Sequence, residues 1–467
     1  MMTVRLLSIC VVWALTAWAC EPRKPGSTAQ SSGQGASKAE SSTAKGKVTE
    51  KTRDISPAKR APLAAPSRLL SRPRTPQELA TTDWRIFIRN LKAQVKTSQV
   101  AAQRRPTPAT LKLSAEKLLT LGRILGDVEM VGRAVKIADL ALEKAPKAPG
   151  LLALRAQARF TLHQWTALAA DVAALEAVAP RHPSLEELKA ELMWHRGEFK
   201  AATVAFTALA KSRPDLYRVS RLGHVLARRG GFDAGDKAFA RAETLYRDVS
   251  PVPLAWLYVQ RALLRIEHGR YAEAKLFLEA AYARAPGYPM VVEHLAEVNA
   301  LVGDRQRAVK LYEEAIALVD HPEYHGALAG VLRALARSEQ AEKHEAKAGE
   351  RAQILMEKYP EAMAGHCVEL LTGEARRNAL TQLQAEAAQR HDPETQGRFA
   401  AALIDADRAP EALAVLQKTL KEDWHLPRLH WLAARAARLG GAPEQAATFK
   451  ARALALNPDI EALYGPF

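Results

Sequence analysis

Two histidines four residues apart, His321 and His325, have the spacing at which imidazoles on one helix face can share a metal ion. Pro322 lies between them and marks a helix junction, so a shared metal is not expected. His366 beside Cys367 has the composition of an activated thiol. Its neighbours Met363, Leu370 and Leu371 point instead to a buried, inert cysteine. The carboxylate pairs Glu186/Glu187 and Glu313/Glu314 fall in mixed-charge stretches and read as solvated helix surface. The chain has no GxxxxGK[ST] loop, no GxGxxG after a strand, no HExxH and no CxxC. No catalytic residue, metal site or cofactor is therefore expected, and the chain is not read as an enzyme.

The elements that could position a site are helical. Of 467 residues, 48% are hydrophobic and only 6% aromatic. Such a composition excludes a wholly disordered chain, while the scarcity of β-branched and aromatic residues disfavours sheets. Three cysteines cannot make a disulfide scaffold. Basic residues outnumber acidic ones, 67 to 51, but unevenly: residues 21–110 carry 18 Lys/Arg and 6 Asp/Glu, a net of +12. The body beyond is nearly neutral, which argues against a nucleic-acid partner. The basic residues of the tail, Arg23, Lys24, Lys45, Lys47, Lys51, Lys59, Arg60, Arg72 and Arg74, are dispersed and read as solubilising charge.

Residues 1–19 have the pattern of an export signal: Arg5, an apolar run from Leu6 to Trp18, and Ala17 and Ala19 ahead of Cys20. The run is too short to span a bilayer. Ala17-Trp18-Ala19-Cys20 resembles the lipobox of bacterial lipoproteins, although Ala17 stands where Leu is usual and Trp18 is bulky. That resemblance implies cleavage before Cys20, lipid attachment there, and an envelope location, lipid-anchored or periplasmic. Residues 20–75, rich in Ser, Ala, Lys, Gly and Pro, cannot bury enough surface to order themselves and read as a disordered tether. Residues 76–110, with Trp84, Ile86, Phe87, Ile88 and Leu91, read as an N-terminal capping helix.

From residue 111 to 467 the chain repeats. Proline recurs at 146, 180, 214, 251, 286, 322, 360, 393, 427 and 458, at intervals of 31–38 residues, and each is read as ending a helix. Gly197, Phe199, Ala202, Phe206, Leu209 and Pro214 share their offsets with Gly269, Tyr271, Ala274, Leu278, Ala281 and Pro286. Gly230 heads the corresponding unit with Phe232, Gly235, Phe239 and Ala242, and Gly303 and Gly441 head others. Ahead of the turns run stripes of one helix face, such as Val219, Leu222, Gly223 and Leu226. A glycine permits a tight turn, small residues let helices approach, and a large residue fills the gap between them.

These units resemble the tetratricopeptide repeat (TPR), a helix–turn–helix of 34 residues. The resemblance implies an all-α solenoid of about ten repeats in a right-handed superhelix, whose first helices line a concave groove for a protein or peptide ligand. It implies neither a nucleic-acid partner nor a small-molecule substrate. Aligned on the turn glycines, the groove is lined by Glu187, Glu191, Trp194, Tyr217, Ser220, His224, Arg228, Trp256, Glu293 and Glu297. The unit following His325 has a second helix about two turns too long, and the unit ending at Pro393 is degenerate. The expected function is a non-catalytic scaffold of the bacterial cell envelope that assists assembly of an envelope complex. The alternatives are an envelope protein that binds an anionic polymer and an enzyme with an unrecognised site on the solenoid.

Overall fold

The computed structural model describes residues 72–74, 78–465 and 467; the expected signal peptide, Cys20 and all but three residues of the expected tether lie outside the described residues. Every regular element among the described residues is a helix. One helix, α1 (Trp84–Arg104), precedes ten hairpins. The first three are α2 (Pro108–Leu125) with α3 (Val128–Lys144), α4 (Pro149–Thr161) with α5 (Trp165–Val178), and α6 (Leu185–His195) with α7 (Phe199–Ser212). The fourth consists of the two halves of α8 (Leu216–Thr244), broken at Gly231. Then come α9 (Pro251–Glu267) with α10 (Tyr271–Arg284), α11 (Pro289–Leu301) with α12 (Arg305–Leu318), and α13 (Pro322–Ala334) with α14 (Ser338–Lys358). The last three are α15 (Pro360–Cys367) with α16 (Gly373–Gln389), α17 (Pro393–Ile404) with α18 (Ala409–Thr419), and α19 (Pro427–Leu439) with α20 (Pro443–Leu456). A short α21 (Ile460–Tyr464) follows. Each helix packs against the next, as a solenoid of TPR-like hairpins requires.

A left-handed backbone residue makes the turn inside each hairpin. Positive φ occurs at Gly126, His163, Gly197, Gly231, Gly269, Gly303, Ala336, Gly373, Asp407 and Gly441, 33–38 residues apart. In the fourth hairpin this residue is Gly231 rather than Gly230: with φ 80° and ψ −174° it occupies a region open in practice only to glycine. Five residues after the turn the second helix buries a small residue in six of the hairpins. Ala202, Ala274, Ala308, Ala341, Ala412 and Ala446 occupy that position, all buried. In the fourth hairpin Gly235 meets the first helix, where a methyl would lie 2.5 Å from Ala227 Cβ, and Asp236 beside it is bonded to the buried guanidinia of Arg261 and Arg265.

The prolines divide: Pro146, Pro180, Pro214, Pro286 and Pro458 lie two residues past the end of a helix, as expected, and the other five act differently. Pro251, Pro322, Pro360, Pro393 and Pro427 begin the first helix of their hairpins instead of ending the helix before. The first turn of a helix leaves its N–H groups unbonded, so the missing N–H and fixed φ of proline are no handicap there. Helix α14 is long, as its sequence predicts, at 21 residues against 14 in α10 or α12, and it runs unbroken. Helix α1 packs on α2 through Leu91 and Val95, while Trp84 stacks on Tyr288, 5.9 Å away.

Hairpins far apart in the chain also touch, through the residues that follow the eighth, ninth and tenth hairpins. The His391 amide donates to the His195 carbonyl at 2.7 Å, and the His425 amide to the Arg228 carbonyl at 2.8 Å. The Asn457 side-chain amide donates to the Glu267 carbonyl at 3.0 Å. In each case the arriving residue lies over the turn glycine of the earlier hairpin. A methyl added at Gly197 would lie 3.1 Å from His391 Cβ, at Gly231 3.2 Å from His425 Nδ1, and at Gly269 2.5 Å from Asn457 Oδ1. At Gly303 and Gly441 such a methyl would meet nothing within 4 Å.

This difference separates two costs. Gly303→Ala adds only a left-handed alanine and should destabilise the protein by about 1–2 kcal/mol. Gly269→Ala adds the same strain and a collision with Asn457, and should cost roughly 1–3 kcal/mol more. Urea unfolding of both variants checks this; equal losses would show that the contact between distant hairpins contributes nothing.

Candidate functional site

Amphipathic first helices turn one stripe towards the second helices and leave another face for a ligand. That second face is closed over much of its length by the protein itself. Glu191 is buried and accepts two bonds from Arg221, at 2.6 and 2.8 Å. Trp194 is buried under Arg221 and lies edge-on to Phe199 and Trp424, with ring centroids 5.2 and 5.8 Å away. Ser220 is buried and donates to the Leu216 carbonyl at 2.6 Å. Trp256 is buried, with half-buried Tyr217 5.8 Å from its ring. Glu187 is half-buried against Arg218, and burial pushes its carboxyl up to about 7.

Glu293 and Glu297 lie on α11, a helix whose residues Pro289–Ala300 are all buried. Between them sits His294, which sequence reasoning passed over. Its Nδ1 is 3.0 Å from the Glu297 carboxylate and its Nε2 3.3 Å from that of Glu293. Burial raises the Glu293 carboxyl to about 8. The sequence signal was available: Glu293, His294 and Glu297 share one helical face, although the hydrophobic helix around them hides it.

His224 and Arg228 converge with residues far away in the chain. They line a recess of about 60 Å³ formed by α8 and α9 with α17 and α19. Its walls include Gln260, Leu264 and Glu267 from α9, Glu394 and Arg398 from α17, and Arg428 and Leu429 from α19. The space suits a few water molecules or the head of one acidic side chain. Arg228 is paired with Glu394. Burial pushes the Glu267 carboxyl up to about 7, against the pull of Arg228 and Arg428. Arg428 Nε has no hydrogen-bond partner. The walls thus carry three guanidinia and two carboxylates, with Glu386 and Glu323 also acting on Arg398. Sequence reasoning missed Glu267, Glu394, Arg398 and Arg428, because the first helix belongs to the next hairpin and the others lie 165 or more residues beyond Arg228.

A second cluster joins the second and third hairpins to the eighth and ninth. Asp392 accepts from the backbone of Thr395 at the start of α17, receives Arg390 Nε at 3.0 Å, and lies 2.9 Å from His195 Nδ1. Burial would raise its carboxyl, yet Arg390 and His195 hold it well below the usual range. Glu386 pairs with Arg390 at 2.5 Å and with His163 at 3.0 Å, and is held down to about 2 despite burial. Cys367 is buried, which pushes its thiol well above the ordinary value, as suits an inert side chain. No helix among the described residues is long and apolar enough to cross a membrane.

No family model matches the chain, and no curated protein matches it. Solved structures do. MamA is 18% identical, with 34% of this chain and 92% of MamA covered and a TM-score of 0.30. Yeast Tom70 is 15% identical over 81% of this chain and 91% of its own, with a TM-score of 0.30. Human IFIT1, solved as a dimer with PPP-AAAA, is 14% identical over 81% and 96%, with a TM-score of 0.39. What makes this chain a TPR-like solenoid is its own succession of helical hairpins and left-handed turns.

The histidine cluster sets a pH dependence. Burial lowers His163 to about 4, with Glu386 opposing and Arg390 reinforcing the shift. An unfolded imidazole takes up its proton near pH 6.5, so between the two values the unfolded state binds more protons. Stability should therefore fall as pH drops from 6.5 towards 4, by roughly 1–3 kcal/mol for this one group. His163→Gln should flatten that loss by up to one proton in denaturant titrations at pH 6.5, 5.5 and 4.5. Parallel curves for variant and wild type would show that His163 is protonated alike in both states.

Proposed function

We propose that the protein is a non-catalytic adaptor of the bacterial cell envelope that holds a partner protein by an acidic, apolar-flanked segment. The observation that carries this reading is the recess between α8, α9, α17 and α19, with its excess of guanidinia over carboxylates. Phe239, Leu263 and Leu426 add apolar wall beside the charged groups. At about 60 Å³ the recess takes one side-chain head or a chain terminus, and the rest of a partner would rest on the surrounding surface. Around it the first-helix face is already filled by pairs such as Glu191 with Arg221, so an extended peptide along the whole groove has no room.

The envelope location rests on residues 1–20. A signal peptide, a cysteine at the cleavage point and a long polar tether would hold the solenoid at a membrane surface while letting it reach a partner. Intact-mass spectrometry of the mature protein should find residue 20 at the N-terminus carrying a diacylglyceryl group. An unmodified Cys20 at that position would leave export standing without the anchor, and an intact Met1 would remove both.

Arg428→Met removes one guanidinium while keeping much of its volume. Hydrogen bonds to a charged group contribute about 1.5–3 kcal/mol, so recovery of the partner from solubilised envelope should fall roughly tenfold or more, with helicity unchanged. Unchanged recovery would exclude the recess as the docking point, and no co-purifying protein at all would end the adaptor reading.

A further inference from the structure

Three buried ionisable groups lie together on α11, none of them among the residues that line the recess. Glu293, His294 and Glu297 are 2%, 0% and 3% exposed. One imidazole nitrogen and one oxygen from each carboxylate all lie within 4.8 Å of one another. The charged groups acting on Glu293 are His294, Glu297 and Glu323, with no guanidinium or ammonium among them. Tyr312 from α12 and Tyr324 from α13 close in beside the carboxylates and bring no positive charge.

Two carboxylates and one imidazole do not balance. With both carboxylates ionised and the imidazole protonated the group carries one net negative charge inside a helix surrounded by protein, a state that burial disfavours and that the polypeptide alone relieves only by holding a further proton on Glu293. Hydrogen bonding leaves the group incomplete as well: Glu293 Oε1 and His294 Nε2 have no hydrogen-bond partner, although both are buried. A divalent cation removes both deficits. Two carboxylates and a neutral imidazole around a doubly charged ion sum to zero, and the ion accepts the lone pairs that hydrogen bonds leave unused.

We infer that Glu293, His294 and Glu297 form a buried binding site for one divalent metal ion of the zinc class. The donor chemistry favours this class: a single imidazole with two carboxylates suits zinc and its first-row neighbours, whereas calcium and magnesium prefer all-oxygen shells. Closing on an ion needs only small rotations, since bonds of about 2.0–2.2 Å to a common centre draw donor atoms together from their present spacing. The three ligands come from a single helix with one turn between first and last, so the backbone already sets their relative positions. An ion here would tie the polar face of α11 to itself at the centre of the solenoid, and its role would be structural.

The test uses the full-length protein, purified without chelator and then exposed to zinc chloride. Elemental analysis after gel filtration should find one zinc per chain, and the midpoint of thermal unfolding should rise with zinc and fall with EDTA. Cobalt chloride should give a visible absorption band of a four- or five-coordinate N/O site, bleached by added zinc. The double variant E293Q/E297Q keeps the shape and removes both negative charges, so it remains folded; it should hold no zinc and show the same unfolding midpoint with zinc as with EDTA. Wild-type protein that retains no zinc and unfolds identically with zinc and EDTA would overturn the inference, leaving a proton-sharing Glu–His–Glu group. Equal zinc retention by the double variant would overturn it too, by placing the ion elsewhere.

Discussion

A bare backbone turn met by another segment of the same chain is the constraint on which the rest of the structure depends. Gly197, Gly231 and Gly269 each have positive φ, and each lies beneath a residue that follows the hairpin five further on. Gly303 and Gly441 also have positive φ, with open space above them. His163, Ala336 and Asp407 make the same turn with a side chain, at roughly 1–2 kcal/mol each for an ordinary L-residue. Glycine thus serves two purposes in one repeat position. The conformation it permits is local; the close approach it permits belongs to the solenoid.

That approach decides what happens to the inner face of the first helices. Side chains that a more open solenoid would offer to a ligand are met here by the protein's own later hairpins. Asp392 caps α17 and in the same position receives Arg390 and His195, so one carboxylate joins local helix formation to long-range packing. Trp424 reaches Trp194 and Phe199 across the same boundary. Buried ion pairs of this sort are poor sources of net stability, because desolvation cancels much of their attraction. Their consequence is specificity of register: a hairpin displaced by one repeat would bury these charges without partners.

Two places stand out by the sign of the charge they gather. In the recess around Arg428 the guanidinia outnumber the carboxylates. On α11 the opposite holds, with carboxylates gathered around one imidazole and no basic side chain acting on Glu293. The two places gather charge of opposite sign.

Much of the fold is legible in the sequence, because hairpin packing is short-ranged. The offsets from Gly269 to Tyr271, Ala274, Leu278 and Ala281 report contacts within one hairpin and its neighbour, all inside about 35 residues. The extra two turns of α14 are visible for the same reason. The turn at Gly231 was misplaced by one residue because two adjacent glycines look alike until another segment packs on one of them. The recess was half legible: His224 and Arg228 could be named from helical register, whereas Glu394, Arg398 and Arg428 arrive through a path no local period records. By itself, then, the sequence determined the helices, their pairing and the turns between them, since each follows from side-chain size and backbone freedom over a few residues. Only the tertiary structure decided which of those helical faces stay accessible, because that depends on how many hairpins the chain passes through before it meets itself.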